Sequence, residues 1–271
     1  MTRPKKGGLL MKNLFILAII SFMLFAGIAV GYAYDEVEVK DGGQIMGHVK
    51  FVGKAPKLEA IKVNKNEDFC GKEKPSEVLI TGKDGGVKFA VGYLEKIEKG
   101  KKIERTKQTN VNQEKCVFTP HVITMVKGTD LAVTNSDTVL HNANMEAKEL
   151  TDGDDKSGIQ MFNFGQPKQN QVFVKKVRKM GQVKNTCDSH THMMSYNLVF
   201  DHPYSAVTDE TGTFVIDNIP PGKYALKVWH ESWKLTGHDD DGRPLYDKPV
   251  ILTKEVDVPA KGIAHVNFEL K

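Results

Sequence analysis

Few of the residues that mark a familiar enzyme are present in this chain. It has no G-x-S-x-G elbow, no phosphate-cradling P-loop and no dinucleotide-binding G-x-G-x-x-G turn, so the usual routes to acyl, phosphoryl and hydride transfer are missing. C-x-x-C-H is also absent, which excludes a c-type haem attached through that motif. Cysteine is scarce, with three in 271 residues. The excess of positive charge is shallow as well. Of 38 basic side chains, four (Arg3, Lys5, Lys6 and Lys12) lie in the first 33 residues, where none of the 34 acidic ones falls. The remainder is balanced, 34 against 34, and nucleic acid is not an expected partner.

What the first 33 residues hold is a basic start, an apolar run from Leu14 to Val30 and the small residues of Gly31-Tyr32-Ala33. That order reads as a secretory signal peptide cleaved after Ala33. The competing reading is an uncleaved anchor, since the run approaches the ~18 apolar residues that can span a bilayer. With cleavage, no stable membrane span is expected and the protein is periplasmic or otherwise exported.

The rest of the chain alternates at the period of strands. Ile45, Gly47, Val49 and Phe51 face one way and Met46, His48 and Lys50 the other, a half-buried strand. Val78–Ile80, Asp84-Gly-Gly86 and Val87–Leu94 read as a β-hairpin, and the charged stretch 95–112 as an exposed connection. Strand patterns recur at Val117–Val126, Leu131–Thr134, Met161–Pro167 and Gln171–Val177. The acidic Asp152–Asp155 cluster lacks the spacing of a calcium loop. Ala206–Ile216 reads as a hairpin turning at Gly212, and Pro220-Pro221-Gly222 as a tight turn into a strand with Tyr224, Leu226 and Val228 on one face. Residues 231–248, with Gly237-His-Asp-Asp-Asp-Gly-Arg243, read as a solvated loop. An all-β fold follows.

Between two strand patterns lies Cys187-Asp-Ser-His190-Thr-His192-Met193-Met194. A thiol, an imidazole and a thioether are spaced C-x2-H-x2-M, and Asn135-Ser-Asp-Thr-Val-Leu-His141-Asn142 can bring a second imidazole. Two imidazoles, one thiolate and a weak axial thioether make a trigonal site suited to copper electron transfer. Taken singly, each has a plainer reading: a buried cysteine behaves as a small hydrophobe, a loop histidine is solvated, and a methionine fills a core. The ordered set is what points to metal.

These residues resemble the cupredoxins, and the loop is similar to that of amicyanin-like members. The likeness spans roughly residues 111–201 and also rests on His141-Asn142 and the strand Phe118–Gly128. It implies a Greek-key β-sandwich holding one mononuclear type 1 copper on His141, Cys187, His190 and Met193. Asn142 would be the clip that bonds the cysteine loop, and electrons would pass at the solvent-side edge of His190. His192 departs from the amicyanin-like pattern, and Met194 adjoins Met193. Together with His121, which otherwise reads as a core histidine, they are the alternative ligands, and His192 would turn the site toward zinc. One cysteine in the loop does not suit the binuclear oxidase centre, and His190-Thr-His192 alone does not suit a multicopper oxidase.

Further on, Asp209–Phe214 and Pro221–Tyr224 carry D-x-x-G-x-F and P-G-x-Y, and resemble the carboxypeptidase-regulatory-like, transthyretin-like β-sandwich, a non-catalytic module. The division expected is 1–33 signal peptide, 34–110 an N-terminal β segment with charged linker, 111–201 copper domain and 202–271 second sandwich. The strand at 44–52 is similar to that module's first strand, which would make the copper module an insertion. In an exported protein Cys70 and Cys116 are natural disulfide partners, leaving Cys187 for metal; two unrelated thiols are the alternative. The chain is thus expected to be no enzyme but a one-electron carrier serving an unidentified redox protein such as a cytochrome or dehydrogenase. Copper or zinc carriage without redox turnover, or a structural or adhesion module, are the other readings.

Overall fold

The computed structural model of the protein describes residues 1–2, 34–151 and 158–271. The signal peptide or anchor and the Asp152–Asp155 cluster lie outside the described residues. Among those described, no helix is long and apolar enough to cross a membrane. The fold is all-β, with one short helix among the described residues, Glu67–Cys70.

Two sandwiches make up residues 34–271. In the first, the strands Val117–Thr119, Gln108–Glu114, Asp130–Asn135 and Gln171–Lys176 form a four-stranded sheet in that order. It faces a five-stranded sheet ordered Val122–Val126, Met194–Phe200, Gly181–Thr186, His141–Lys148 and Ile159–Gln166. Between them lie Val111, Phe118, Leu131, Val133, Met145, Val183 and Val199, supplied by the alternate residues that a pleated strand turns inward. In the second sandwich, Ser205–Val207, Val91–Leu94, Gly222–His230 and Val250–Val258 form one sheet, and Thr213–Ile219, Gly43–Phe51 and Ile263–Leu270 the other.

Residues 34–110 are therefore not a segment of their own. Gly43–Phe51 is the central strand of its sheet, parallel to Ile263–Leu270 and antiparallel to Thr213–Ile219. Val91–Leu94 lies between Ser205–Val207 and Gly222–His230. The first sandwich is inserted into the second. The stretch 95–112 is not wholly an exposed connection either, because Val111 is a buried member of Gln108–Glu114. Nor is 206–216 a two-stranded hairpin, since Ser205–Val207 and Thr213–Ile219 enter different sheets. The Asp209 carboxylate turns the chain between them, accepting from Thr211 N at 2.8 Å and Thr213 N at 3.1 Å.

The strand Met194–Phe200 is buried on both faces. Val199 turns into the first sandwich, while Met194, Tyr196, Leu198 and Phe200 pack with Val91, Tyr93 and Trp229 of the second. Trp229 Nε1 donates to Gln182 Oε1 across the same junction at 3.0 Å. The strand that follows the candidate ligand loop is thus wedged between two cores.

Phe214 fills the second core by lying over two glycines, Gly47 of its own sheet and Gly92 of the facing one. A Cβ at either position would collide with the phenyl ring. Gly92→Ala is therefore expected to destabilise the protein by ~1–3 kcal/mol, the usual cost of overpacking. The check is a lowered urea midpoint with an unchanged slope.

Candidate metal centre

The loop 187–193 joins two antiparallel neighbours, Gly181–Thr186 and Met194–Phe200, and closes on itself through Cys187 N to Met193 O (3.4 Å) and Met193 N to His190 O (3.0 Å). His141 begins the next strand of the same sheet, which pairs with Gly181–Thr186. Sheet register therefore sets His141 beside the loop. The three side chains are fully buried and converge: Cys187 Sγ lies 4.0 Å from His141 Nδ1 and 3.8 Å from His190 Nδ1, and the two Nδ1 atoms are 3.1 Å apart. One ligand atom from each residue falls within 4.8 Å of the other two.

The far nitrogen of each ring is already engaged. His141 Nε2 donates to the Asp137 carboxylate at 2.8 Å, and His190 Nε2 donates to Asn66 Oδ1 at 3.0 Å. With the proton held at Nε2, each Nδ1 turns a lone pair inward, the arrangement by which outer partners orient imidazole ligands. Asp137 also accepts from Lys115 N (2.7 Å) and Cys116 N (2.8 Å). It thus stabilises a turn whose two central residues both have positive φ (54° and 60°).

Burial lowers the pKa of both rings. For His141 the Asp137 hydrogen bond opposes this, while for His190 the neighbouring His141 and His192 reinforce it and the value falls to about 4. Burial pushes the Cys187 thiol up, against backbone hydrogen bonds that favour the thiolate. One of these is from Asn142 N, 3.4 Å from Sγ. At neutral pH the set is therefore two neutral imidazoles and a protonated thiol.

Asn142 spans the site: its Oδ1 accepts from Asp188 N, and its Nδ2 donates to Asp188 Oδ2 at 2.9 Å and Asn163 Oδ1 at 2.8 Å. Met193 is buried in the same cluster as Cys187. Met194 belongs to the junction between the sandwiches, where Tyr196 Oη donates to its sulfur at 3.9 Å. The remaining alternatives are held elsewhere. His192 Nε2 donates to Cys116 O at 3.0 Å, and His121 Nε2 bonds the Glu231 carboxylate. Neither joins the converging group.

His190 offers no solvent-side edge; it is fully buried beneath the segment that carries Asn64 and Asn66. A disulfide between Cys70 and Cys116 pins that segment, leaving Cys187 as the free thiol. Asn66, Asp137 and Arg243, whose guanidinium bonds Cys187 O at 2.8 Å, were not legible as site residues. Asp137 alone had a signal, lying within the His141 stretch at i−4. Residues 231–248 are not simply solvated, because Glu231 and Arg243 are buried.

The fold and this cluster define a class: an all-β protein with a buried two-imidazole, one-thiol centre at one end of a sandwich. The family model that matches describes a BOS complex subunit NOMO1-like, second beta sandwich domain, and covers residues 199–241. No curated protein matches the chain. Among solved structures it is similar to a purple cupredoxin from Nitrosopumilus maritimus, with 20% identity over 34% of this chain and 99% of that one and a TM-score of 0.27. Amicyanin from Paracoccus versutus shows 20% identity over 35% of this chain and 82% of that one, with a TM-score of 0.25. The copper-containing nitrite reductase of Thermus scotoductus shows 16% identity and a TM-score of 0.27, and the match covers only 22% of that protein.

Proposed function

We propose that the protein is an exported type 1 copper protein that carries single electrons and catalyses no reaction of its own. The observation that carries this reading is the convergence of His141 Nδ1, His190 Nδ1 and Cys187 Sγ in one buried cluster. His141, Cys187 and His190, with Met193, would hold the metal, a donor set suited to both Cu(I) and Cu(II). Copper held there would supply reversible one-electron exchange. The protein's own part is to fix the imidazoles through Asp137 and Asn66, so that little moves when charge changes, and to exclude water. The Cys70–Cys116 bridge favours an oxidising compartment. The second sandwich, read as carboxypeptidase-regulatory-like, serves as scaffold, and a partner redox protein takes or gives the electron across the turn that covers His190.

Titrating Cu(II) into the protein is expected to produce an intense thiolate-to-copper absorption band with small copper hyperfine splitting, and Cys187→Ser is expected to abolish both. Because the thiol is protonated when metal-free, loading at pH 7 should release about one proton per copper and weaken as pH falls. An unchanged spectrum in Cys187→Ser would refute the ligand assignment.

A second reading, copper or zinc carriage without redox turnover, rests on His192. Its Nδ1 is buried without a partner, and the ring lines a cavity of about 20 Å³ with Met193 and His121. A colourless complex that survives Cys187→Ser but not His192→Ala would favour it.

A further inference from the structure

Arg243 belongs to the second sandwich's long loop. Two short strands there, Leu235–His238 and Pro244–Tyr246, pair antiparallel around a turn capped by Asp239, whose carboxylate accepts from Arg243 N at 2.8 Å and Asp241 N at 3.1 Å. From that turn the side chain reaches into the first sandwich and is only 9% exposed. Its Nη2 donates to Cys187 O at 2.8 Å, and its Nη1 to Thr191 O at 3.1 Å and Met193 O at 3.3 Å. Three carbonyls of the candidate ligand loop, from its first, fifth and last residues, thus converge on one guanidinium.

We propose that Arg243 is the positioning residue of the ligand loop, and that through it the second sandwich sets both the loop's shape and the charge that the redox centre feels. The proposal deepens the copper reading and rests on it only for the second of these effects. Geometry carries the first. Within the loop, backbone bonds tie Cys187 to Met193 and Met193 to His190, and the planar guanidinium fork adds three more, to Cys187 O, Thr191 O and Met193 O. A guanidinium does not deprotonate in a protein, so its charge is permanent. Asp239 Oδ2, 3.8 Å from Nε, offsets part of it. Lys184, Asp188 and His192 also feel it.

The sign of the second effect follows from charge balance. A copper–thiolate pair bears one positive charge when oxidised and none when reduced. A fixed cation nearby disfavours the oxidised form and raises the reduction potential. Removing it lowers the potential, and more so because Asp239 is left behind.

The test compares Arg243→Met and Arg243→Lys in the full chain. In the metal-free protein, amide hydrogen exchange across 187–193 is expected to quicken about tenfold in Arg243→Met, while exchange at Leu226 and Phe268 in the second core stays unchanged. After Cu(II) loading, the ratio of oxidised to reduced protein at fixed potential should shift about tenfold toward oxidised in Arg243→Met, which is ~59 mV for one electron. Arg243→Lys keeps the charge without the fork, so it should restore most of the potential and little of the loop protection. Unchanged loop exchange in Arg243→Met, or core exchange that rises as much as the loop's, overturns the positioning role. Equal potentials in wild type and Arg243→Met overturn the electrostatic role. If wild type takes up no copper, the functional reading fails, while the exchange measurement still decides on Arg243.

Discussion

Replacing both bridged cysteines, Cys70→Ser with Cys116→Ser, is expected to lower the unfolding free energy by about 4 kcal/mol, the chain-entropy value for a loop of this length. The bridge spans 46 positions of sequence, and its effect should reach the candidate centre. Cys70 ends the Glu67–Cys70 helix, and the residue before that helix, Asn66, bonds His190. Cys116 sits where two other supports meet: its N donates to the Asp137 carboxylate that orients His141, and its O accepts from His192. Cutting the bridge therefore frees the segment over His190 and loosens the turn behind His141. Urea unfolding measures the first effect. Iodoacetamide measures the second, because Cys187 is the free thiol in wild type and the sole thiol in the double variant. Alkylation of native protein should be much faster in the variant. Equal rates would mean that the segment does not control access to the loop.

How far the sequence anticipated this can be judged at individual residues. The convergence of His141, Cys187 and His190 was legible because candidate metal ligands come from a short list of residue types at short spacings, and the two flanking strand patterns set a loop between them. The all-β class was legible for the same local reason: alternation at period two is visible without knowing any partner. Partner choice was not. Nothing local distinguishes Gly43–Phe51 as a strand that pairs with residues 263–270 from one that pairs with its neighbours in sequence. The hairpin expected at 206–216 failed because a turn can deliver its two strands to different sheets. His190 looked exposed because a loop histidine ordinarily is. The cover comes from Asn64 and Asn66, more than a hundred residues away, in a stretch with no pattern of its own. Arg243 was hidden for a related reason. Its neighbours are acidic and glycine-rich, and only the tertiary fold turns this one side chain inward.

Glu231→Gln is expected to cost about 3 kcal/mol at pH 6, the lower edge of what breaking a buried ion pair costs, and progressively less at higher pH. Glu231 bonds His121, and both are almost fully buried. Burial by itself disfavours the imidazolium, but the charge and hydrogen bond of Glu231, with Glu77 behind it, together outweigh this and raise the His121 pKa. Glu77 Oε2 lies 3.8 Å from Nδ1 on the other side of the ring. His230, the neighbouring imidazole, is kept neutral by burial and turns its Nδ1–H to Glu231 O at 2.6 Å. A pKa raised by folding contributes stability that is complete below the unfolded value of about 6.5, and that is lost as pH climbs through the folded value. The penalty of Glu231→Gln should follow that curve. Denaturant midpoints at pH 6 and pH 9 would show it, and an equal penalty at both would mean that the pair is not ionic. Leucine at both positions should be far less harmful than Glu231→Gln at pH 6, because an apolar pair leaves no charge to solvate. The location explains why a costly pair would be kept. His121 O accepts from Tyr196 N on the strand that leaves the ligand loop, while Glu231 begins the same long loop that carries Arg243. Two charges of opposite sign, a dozen residues apart in the second sandwich, thus each grip the first sandwich beside its candidate metal centre. These two charged contacts join the sandwiches beside the apolar junction around Trp229.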